Sequence, residues 1–401
     1  MTNSGAPLPP DVDSFPKGGA RLRVALVGTR GVPAHYGGFE TCVEEVGARL
    51  AARGHEVVVY CRKQGDNDKR PALYRGMSLV HLPALRRRSL ETLSHTGLSA
   101  AHLFRHRTDA AIVFNCANAP FLPVLRARGI PLATHVDGLE WRRAKWGRTG
   151  QRYYKLAEKL SVRWSDALIA DAIGISDYYR ETFGATTDVI SYGAPAVGSD
   201  AGRLAELDLS SNGYHLVVAR FEPENHVLEI VQGYVASAAA LPLVVVGSAP
   251  YSDEYTRQVR EAADGRVRFL GGVWDQDLLD QLYANARTYL HGHSVGGTNP
   301  SLLRALGAGA PTNAFNVVFN REVLGEAGRY FTRPEEMASL IDQAEADPAG
   351  TSARGSMALA RASLYDWDKV TDSYEALCRR LAAAHASCGG RRPAATARAG
   401  T

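Results

Sequence analysis

Residues 291–309, HGHSVGGTNPSLLRALGAG, bring two glycines, small hydroxyls and a helix start into one short stretch. Ser294, Gly296, Gly297, Thr298 and Asn299 favour tight turns. Pro300 suits the first turn of a helix, which Ser301, Leu302, Leu303, Ala305 and Leu306 continue. A helix start offers unpaired N–H groups and the positive end of its dipole, so a phosphate placed there would be bound without a metal. A plain strand-to-helix connection is the other reading. A second glycine-rich turn, Gly28-Thr29-Arg30-Gly31-Val32-Pro33 followed by Tyr36-Gly37-Gly38-Phe39-Glu40, favours the first. It lacks the G-x-G-x-x-G fingerprint, since Gly28 and Gly31 are three apart, which argues against a nicotinamide enzyme.

Other residues could do chemistry but have simpler roles open to them. Asp275-Gln276-Asp277 spells a D-x-D metal pattern, yet the same residues cap a helix well. His291 and His293 flank Gly292 without a third ligand, which points to lining or backbone support and not to a metal. Trp141 and Trp146 could stack on a sugar or a lipid, or simply pack. The five cysteines, at 42, 61, 116, 378 and 388, show neither C-x-x-C nor Cys/His ligand spacing, and no G-x-S-x-G nucleophile turn is present.

The elements that must position these residues alternate regularly. Apolar runs at 24–27, 57–60, 78–82, 110–115, 131–136, 167–170 and 188–191 read as strands, with helices near 89–106, 151–165 and 175–183. Glu44, Val46 and Leu50 mark a helix after the first strand, and Leu156, Leu160 and Trp164 are expected to face the core. A glycine- and proline-bearing linker at 193–212 leads to a second series: strands at 214–219, 243–246, 267–270, 288–291 and 311–315, and helices at 225–237, 252–263, 275–285 and 320–324. The fold class is therefore α/β, with two doubly wound parallel-sheet, Rossmann-like domains facing a cleft. The expected organisation is a disordered tail at 1–20, a first domain at 21–195, a second at 208–365, a helix at 366–386 that packs back on the first domain, and a disordered tail at 387–401.

Composition bounds the function. At 401 residues, with 45% hydrophobic and 22% charged, the chain is an ordinary globular protein. No run approaches the ~20 apolar residues of a membrane span, and the first twenty residues lack a signal-peptide core, so a cytoplasmic setting is expected. Residues 1–200 carry 27 Lys and Arg against 19 Asp and Glu, a net of +8, whereas the remainder carries 19 against 23, a net of −4. Arg86-Arg87-Arg88, Arg105-His106-Arg107 and Trp141-Arg142-Arg143 with Lys145-Trp146 concentrate the excess. Such clusters fit an anionic membrane surface or a lipid-phosphate acceptor, or else a solvated face. Nucleic acid is not an expected partner, because no recognition motif accompanies the charge.

The long segment VALVGTRGVPAHYGGFETCVEEVGARLAARGHEVVVYCR, with VVARFEPEN, YLHGHSVGGTNPSLLRALGAGAP and FNREVLG, resembles the rhamnosyltransferase-like branch of glycosyltransferase family 4. The likeness spans nearly everything between the two tails. It implies the GT-B fold, a nucleotide-sugar donor such as dTDP-rhamnose or a UDP-sugar on the second domain, and a glycan or lipid-linked acceptor on the first. Transfer would retain configuration and need no metal or other cofactor.

By that resemblance His135, Asp137 and Arg220 are the catalytic residues, with Arg220 neutralising the diphosphate as it leaves. Donor contacts are implied for Gly37, Gly38, Glu222, Glu224, Asn225, His293, Ser294, Gly296, Gly297, Thr298, Asn299, Ser301, Leu302 and Arg304. Acceptor contacts are implied for Arg30, Tyr36, Trp141 and Arg142. The chain departs from the wider family at four positions. Asn225 stands where a lysine is usual, Gly296 and Arg304 replace two glutamates, and Asn316 replaces an aspartate. A guanidinium cannot accept hydrogen bonds from ribose hydroxyls, although it can bind phosphate. Arg304 therefore opens an alternative, a catalytically impaired relative that binds nucleotide sugar or glycan as a partner or regulator.

Overall fold

The computed structural model describes residues 20–34, 37–63, 71–85, 90–136, 138–247 and 253–389. Tyr36, Asp137, the Arg86-Arg87-Arg88 run, and residues 1–19 and 390–401 of the expected tails at 1–20 and 387–401 lie outside the described residues, while residues 387–389 continue the last helix.

The short apolar runs form two sheets. The first contains β1 (Arg23–Val27), β2 (Glu56–Arg62), β3 (Leu73–Tyr74), β4 (Met77–Leu82), β5 (Ala110–Phe114), β6 (Leu132–Val136), β7 (Ala167–Ala170) and β8 (Asp188–Val189), in the order β3-β4-β2-β1-β5-β6-β7-β8. The second contains β9 (His215–Val218), β10 (Leu243–Val246), β11 (Val267–Gly271), β12 (Thr288–His291), β13 (Thr312–Phe315) and β14 (Arg329–Phe331), in the order β11-β10-β9-β12-β13-β14. All pairings are parallel except β3 with β4. In each sheet the order reverses beside the domain's first strand, which leaves a crevice at the carboxyl ends. Central strands buried on both faces must be apolar throughout, and Ala110–Phe114 and Leu243–Val246 are buried at every position.

Helices cover both faces of the first sheet. On one face, Glu91–Arg105, Leu122–Ala127 and Arg148–Trp164 pack over Val27, Val113 and Leu132. Gly38–Ala52 covers the other, joined by the last helix, Trp367–Gly389, which returns from the second domain. Arg53 Nη1 there meets Asp372 at 2.7 Å and Glu375 at 3.0 Å, and Arg49 Nε meets Asp368 at 3.0 Å. The outgoing and returning chains run side by side, with Ala194 N–H donating to the Tyr365 carbonyl at 2.7 Å.

The structure corrects the expected facing of one helix. Leu156 is 53% exposed, and the buried face of Arg148–Trp164 instead carries Tyr154, Ala157, Glu158 and Ser161. Each i+4 step advances about 40° around a helix, so the row 156, 160, 164 winds toward the core and only its end reaches it. Leu160 and Trp164 are accordingly half-buried against the sheet. Elements beyond the sequence reading include β3, which pairs as a hairpin with the expected strand β4, the helix Leu122–Ala127, β14 and the helices Pro334–Ala346 and Pro348–Ala362. The hairpin turns through Arg75 and Gly76, both at positive φ, which a two-residue hairpin loop requires.

Candidate functional site

The carboxyl ends of the two sheets face one another. From the second domain, β12 runs into the loop from Gly292 to Asn299 and then into the helix Pro300–Gly307. Asn299 caps that helix, its Oδ1 accepting from Ser301 N–H at 3.0 Å and from Ser301 Oγ at 2.8 Å. The Tyr289 hydroxyl lies 3.1 Å from both Ser301 Oγ and His291 Nδ1, which ties the cap to the end of β12. Ser294 donates through N–H and Oγ to the Glu224 carbonyl, at 2.9 and 3.0 Å. This brace joins the glycine loop to the turn that follows β9.

That turn carries Arg220 and Glu222, both half-buried. Buried Asn225 donates its amide to the Arg220 carbonyl at 2.9 Å, and Glu222 N–H donates to the same oxygen at 2.8 Å. Asn225 thus shapes the turn. His291 and His293 stack at 4.5 Å, and both are held neutral. Burial pushes His291 down to about 3, and burial, then His291 and Arg220, pushes His293 well below the ordinary range.

The first domain meets this loop at close quarters. A Cβ at Gly138 would overlap the backbone of Gly296, and one at Gly297 would overlap the Asp171 carboxylate, so this contact between domains requires glycine. Thr298 Oγ1 donates to the Asp171 carbonyl. Gly38 lies against Pro300, where a Cβ would stand 2.9 Å from the ring. Gly37, at φ 110°, sits just before the helix Gly38–Ala52, and Arg30 N–H beside it donates to Glu40 at 3.0 Å. Across the cleft, Arg143 Nη1 reaches Glu224 Oε1 at 3.6 Å and Arg143 Nε holds Glu140 at 2.5 Å. Glu322 on the second domain accepts from Ile173 N–H at 2.8 and 3.0 Å, which caps the first-domain helix Ile173–Phe183.

Several expected site residues sit elsewhere than the cleft surface. His135 is fully buried among Phe39, Phe114 and Tyr192, with ring centroids 5.1, 5.4 and 5.9 Å away. Burial pushes it down to about 3, so it is a neutral ring in the floor and not an exposed base. Trp141 is half-buried under Lys155, whose Nζ stands 4.2 Å from the ring, while Arg142 is exposed. Leu302 is wholly buried, which leaves only its backbone for a ligand. Arg304 is ion-paired with Asp280 on the neighbouring helix Gln276–Ala284. Asn316 accepts from Arg321 Nε at 2.6 Å. Asp275 caps Gln276–Ala284 by accepting from Leu278 N–H at 3.1 Å, the simpler of its two readings. Among the described residues no three His, Cys, Asp or Glu gather as metal ligands. Asp171 and Glu322 were not singled out from the sequence, and Arg143 stood out only as part of a basic cluster. The one available signal was Asp171, a carboxylate at the carboxyl end of a parallel strand.

With this geometry in view, family comparison is decisive. Residues 37–193 match the glycosyl transferase 4-like domain, and residues 214–347 match the glycosyl transferases group 1 domain. The chain belongs to the glycosyltransferases. The glycosyltransferase is 28% identical over 177 residues to O-antigen chain mannosyltransferase B of Escherichia coli, a match spanning 42% of this chain and 46% of the relative. Sucrose-phosphate synthase from Thermosynechococcus elongatus has a similar structure, with TM-score 0.78 at 20% identity over 91% of this chain and all of that one. Anabaena HepE, solved with UDP, gives 0.71 at 18% identity over 89% and 99%. These neighbours establish the GT-B fold of the glycosyltransferase.

Proposed function

We propose that this glycosyltransferase moves a sugar from a nucleoside diphosphate to a hydroxyl of a glycan or lipid-linked glycan, with retention and without a metal. The observation that carries the reading is the Arg220 turn braced against the glycine loop and helix start at Gly292 to Ser301, opposite the strand ends of the first domain. In this reading the diphosphate rests against the loop backbone and the helix dipole, with Arg220 answering the charge that builds on the leaving oxygen. The acceptor oxygen bonds to the anomeric carbon on the face the diphosphate leaves, and its proton passes to the departing phosphate oxygen. His135 supports the floor beneath Phe39.

The mannosyl relative, the UDP-bound neighbour and the rhamnosyltransferase-like motifs define a donor panel of GDP-, UDP- and dTDP-sugars. Calorimetry with UDP, GDP, dTDP and their sugar conjugates tests the reading. Micromolar binding of one nucleotide, equal with magnesium or with EDTA, is expected, and no binding by any of them overturns it. Arg220→Ala is expected to lower transfer at least a hundredfold, about 2.7 kcal/mol of transition-state stabilisation, with an unchanged thermal melt. The impaired-relative alternative rests on Arg304, which cannot accept from ribose hydroxyls, and a donor-dependent product from this chain overturns it.

The acceptor side of the proposal includes peripheral contact with the cytoplasmic face of an anionic membrane. Helix Arg148–Trp164 carries five cations and one carboxylate, Glu158, which is buried. Arg148, Arg152, Lys155, Leu156, Lys159 and Arg163 are all exposed, and at about 100° per residue they fall within roughly 100° of arc. A basic stripe with an outward leucine beside Trp141 fits a lipid surface near the cleft. Among the described residues no helix is long and apolar enough to cross a membrane.

A further inference from the structure

A cavity of about 830 Å³ opens on the second domain, beside the edge strand β14 and between helices Val318–Leu324 and Pro348–Ala362. Its charged lining is Arg321, Arg329 and Arg354 against a single carboxylate, Glu326, with Tyr330 and Met357 completing the wall. Arg354 and Arg329 reach it at the amino-terminal ends of β13 and β14, whereas the cleft lies at the carboxyl ends. None of its lining residues belongs to the proposed donor or acceptor site.

The charges here are poorly answered from within. Arg354 is half-buried, and its Nη1 has only neutral acceptors, Asn313 Oδ1 at 3.2 Å and the Thr312 carbonyl at 3.4 Å. Among the described residues no carboxylate lies within 4.0 Å of Arg321, Arg329 or Arg354. Burial, then the like charge of Arg329, pushes Arg354 down to about 10. Asn313 is fully buried, and its amide nitrogen, on the same side chain that accepts from Arg354, has no partner. Arg329 Nη1 donates only to the Glu326 and Gly328 carbonyls, at 3.5 and 3.2 Å. Arg321 lies 4.4 Å from the Tyr330 ring centroid, and its Nε donates to the neutral Asn316 Oδ1 at 2.6 Å. A partly buried guanidinium near a second guanidinium, answered only by neutral oxygens, lacks an anion that the fold does not supply. Planar guanidinium forks match phosphate oxygens in pairs.

We propose that this cavity is a second ligand site for a small phosphate-bearing anion, held by Arg354 at the base and by Arg329 and Arg321 at the rim. The proposal is independent of the transfer reading. Two sources share the chemistry, free phosphate and a phosphorylated small molecule, and the cavity has room for more than phosphate alone.

The test is calorimetry on the full chain in chloride buffer, with orthophosphate and with a hexose 6-phosphate, on the wild type, Arg220→Ala and Arg354→Met. Sub-millimolar to low-millimolar binding is expected, retained in Arg220→Ala and weakened at least tenfold in Arg354→Met. Should Arg354→Met fail to fold, the rim variant Arg329→Ser is expected to weaken binding severalfold with an unchanged melt. Tighter binding of the hexose phosphate identifies a phosphorylated metabolite as the ligand, and equal binding identifies free phosphate. Absence of binding by both up to 10 mM (on the order of a 3 kcal/mol interaction), or equal affinity in the Arg354 and Arg329 variants, overturns the proposal.

Discussion

Asp171 directly follows β7 with its carboxylate pressed on Gly297, and its Oδ1 is buried without a partner. Burial pushes this carboxyl up to about 7. A raised carboxyl binds its proton more tightly in the folded state, so folding stability falls as pH rises from about 4, where the unfolded group ionises, through 7. Asp171→Asn removes that dependence. The variant is expected to gain a few kcal/mol on the wild type at pH 8 and nothing at pH 4, measured by denaturant unfolding across that range. Equal pH profiles for the two proteins would rule this out. At this scale the sequence was only partly readable. Arg220, Asn299 and Ser301 lie where their motifs place them, because turn and cap chemistry is local. The ion pair of Arg304 with Asp280 and the contact of Asp171 with Gly297 were not readable, since each partner lies on another element.

The helix Ile173–Phe183 starts at Ala172, a residue with no side-chain cap to offer. Glu322 supplies the cap from the other domain, so a local defect in one element becomes a contact between two. Capping groups contribute ~1 kcal/mol, and a loss of that size lowers the melting temperature of a domain this large by roughly 2–4 °C. Glu322→Ala is expected to show that fall in calorimetry, with Glu322→Gln recovering part of it, and an unaltered melt for Glu322→Ala would refute the role. Strands were legible as elements because central parallel strands are continuous apolar runs. The β3 strand was not, since its two residues carry no periodicity, and Leu156 was assigned to the wrong face because a three-residue row does not fix a helix's rotation.

At the scale of the molecule, the net positive charge of residues 1–200 falls mainly on the first domain, on which the last helix of the net negative remainder also packs. Co-sedimentation with phosphatidylglycerol-containing vesicles tests whether the basic stripe of Arg148–Trp164 meets a bilayer. Binding is expected at low salt, lost in phosphatidylcholine alone, and weakened at least tenfold by Arg152→Glu with Lys159→Glu, at ~1 kcal/mol per basic residue. If Leu156→Ser also weakens it, the leucine inserts. Vesicle binding that ignores both changes would assign the contact elsewhere.

The paired chain crossings at Ala194 and Tyr365 have a mechanical consequence. Two covalent tethers side by side act as one line of rotation, so the halves of the glycosyltransferase can swing like covers on a spine but cannot slide apart. Residues far along that spine's radius travel furthest. The contacts Glu322–Ile173, beside that crossing, and Arg143–Glu224 join the two halves in this arrangement, so any such swing would have to break them.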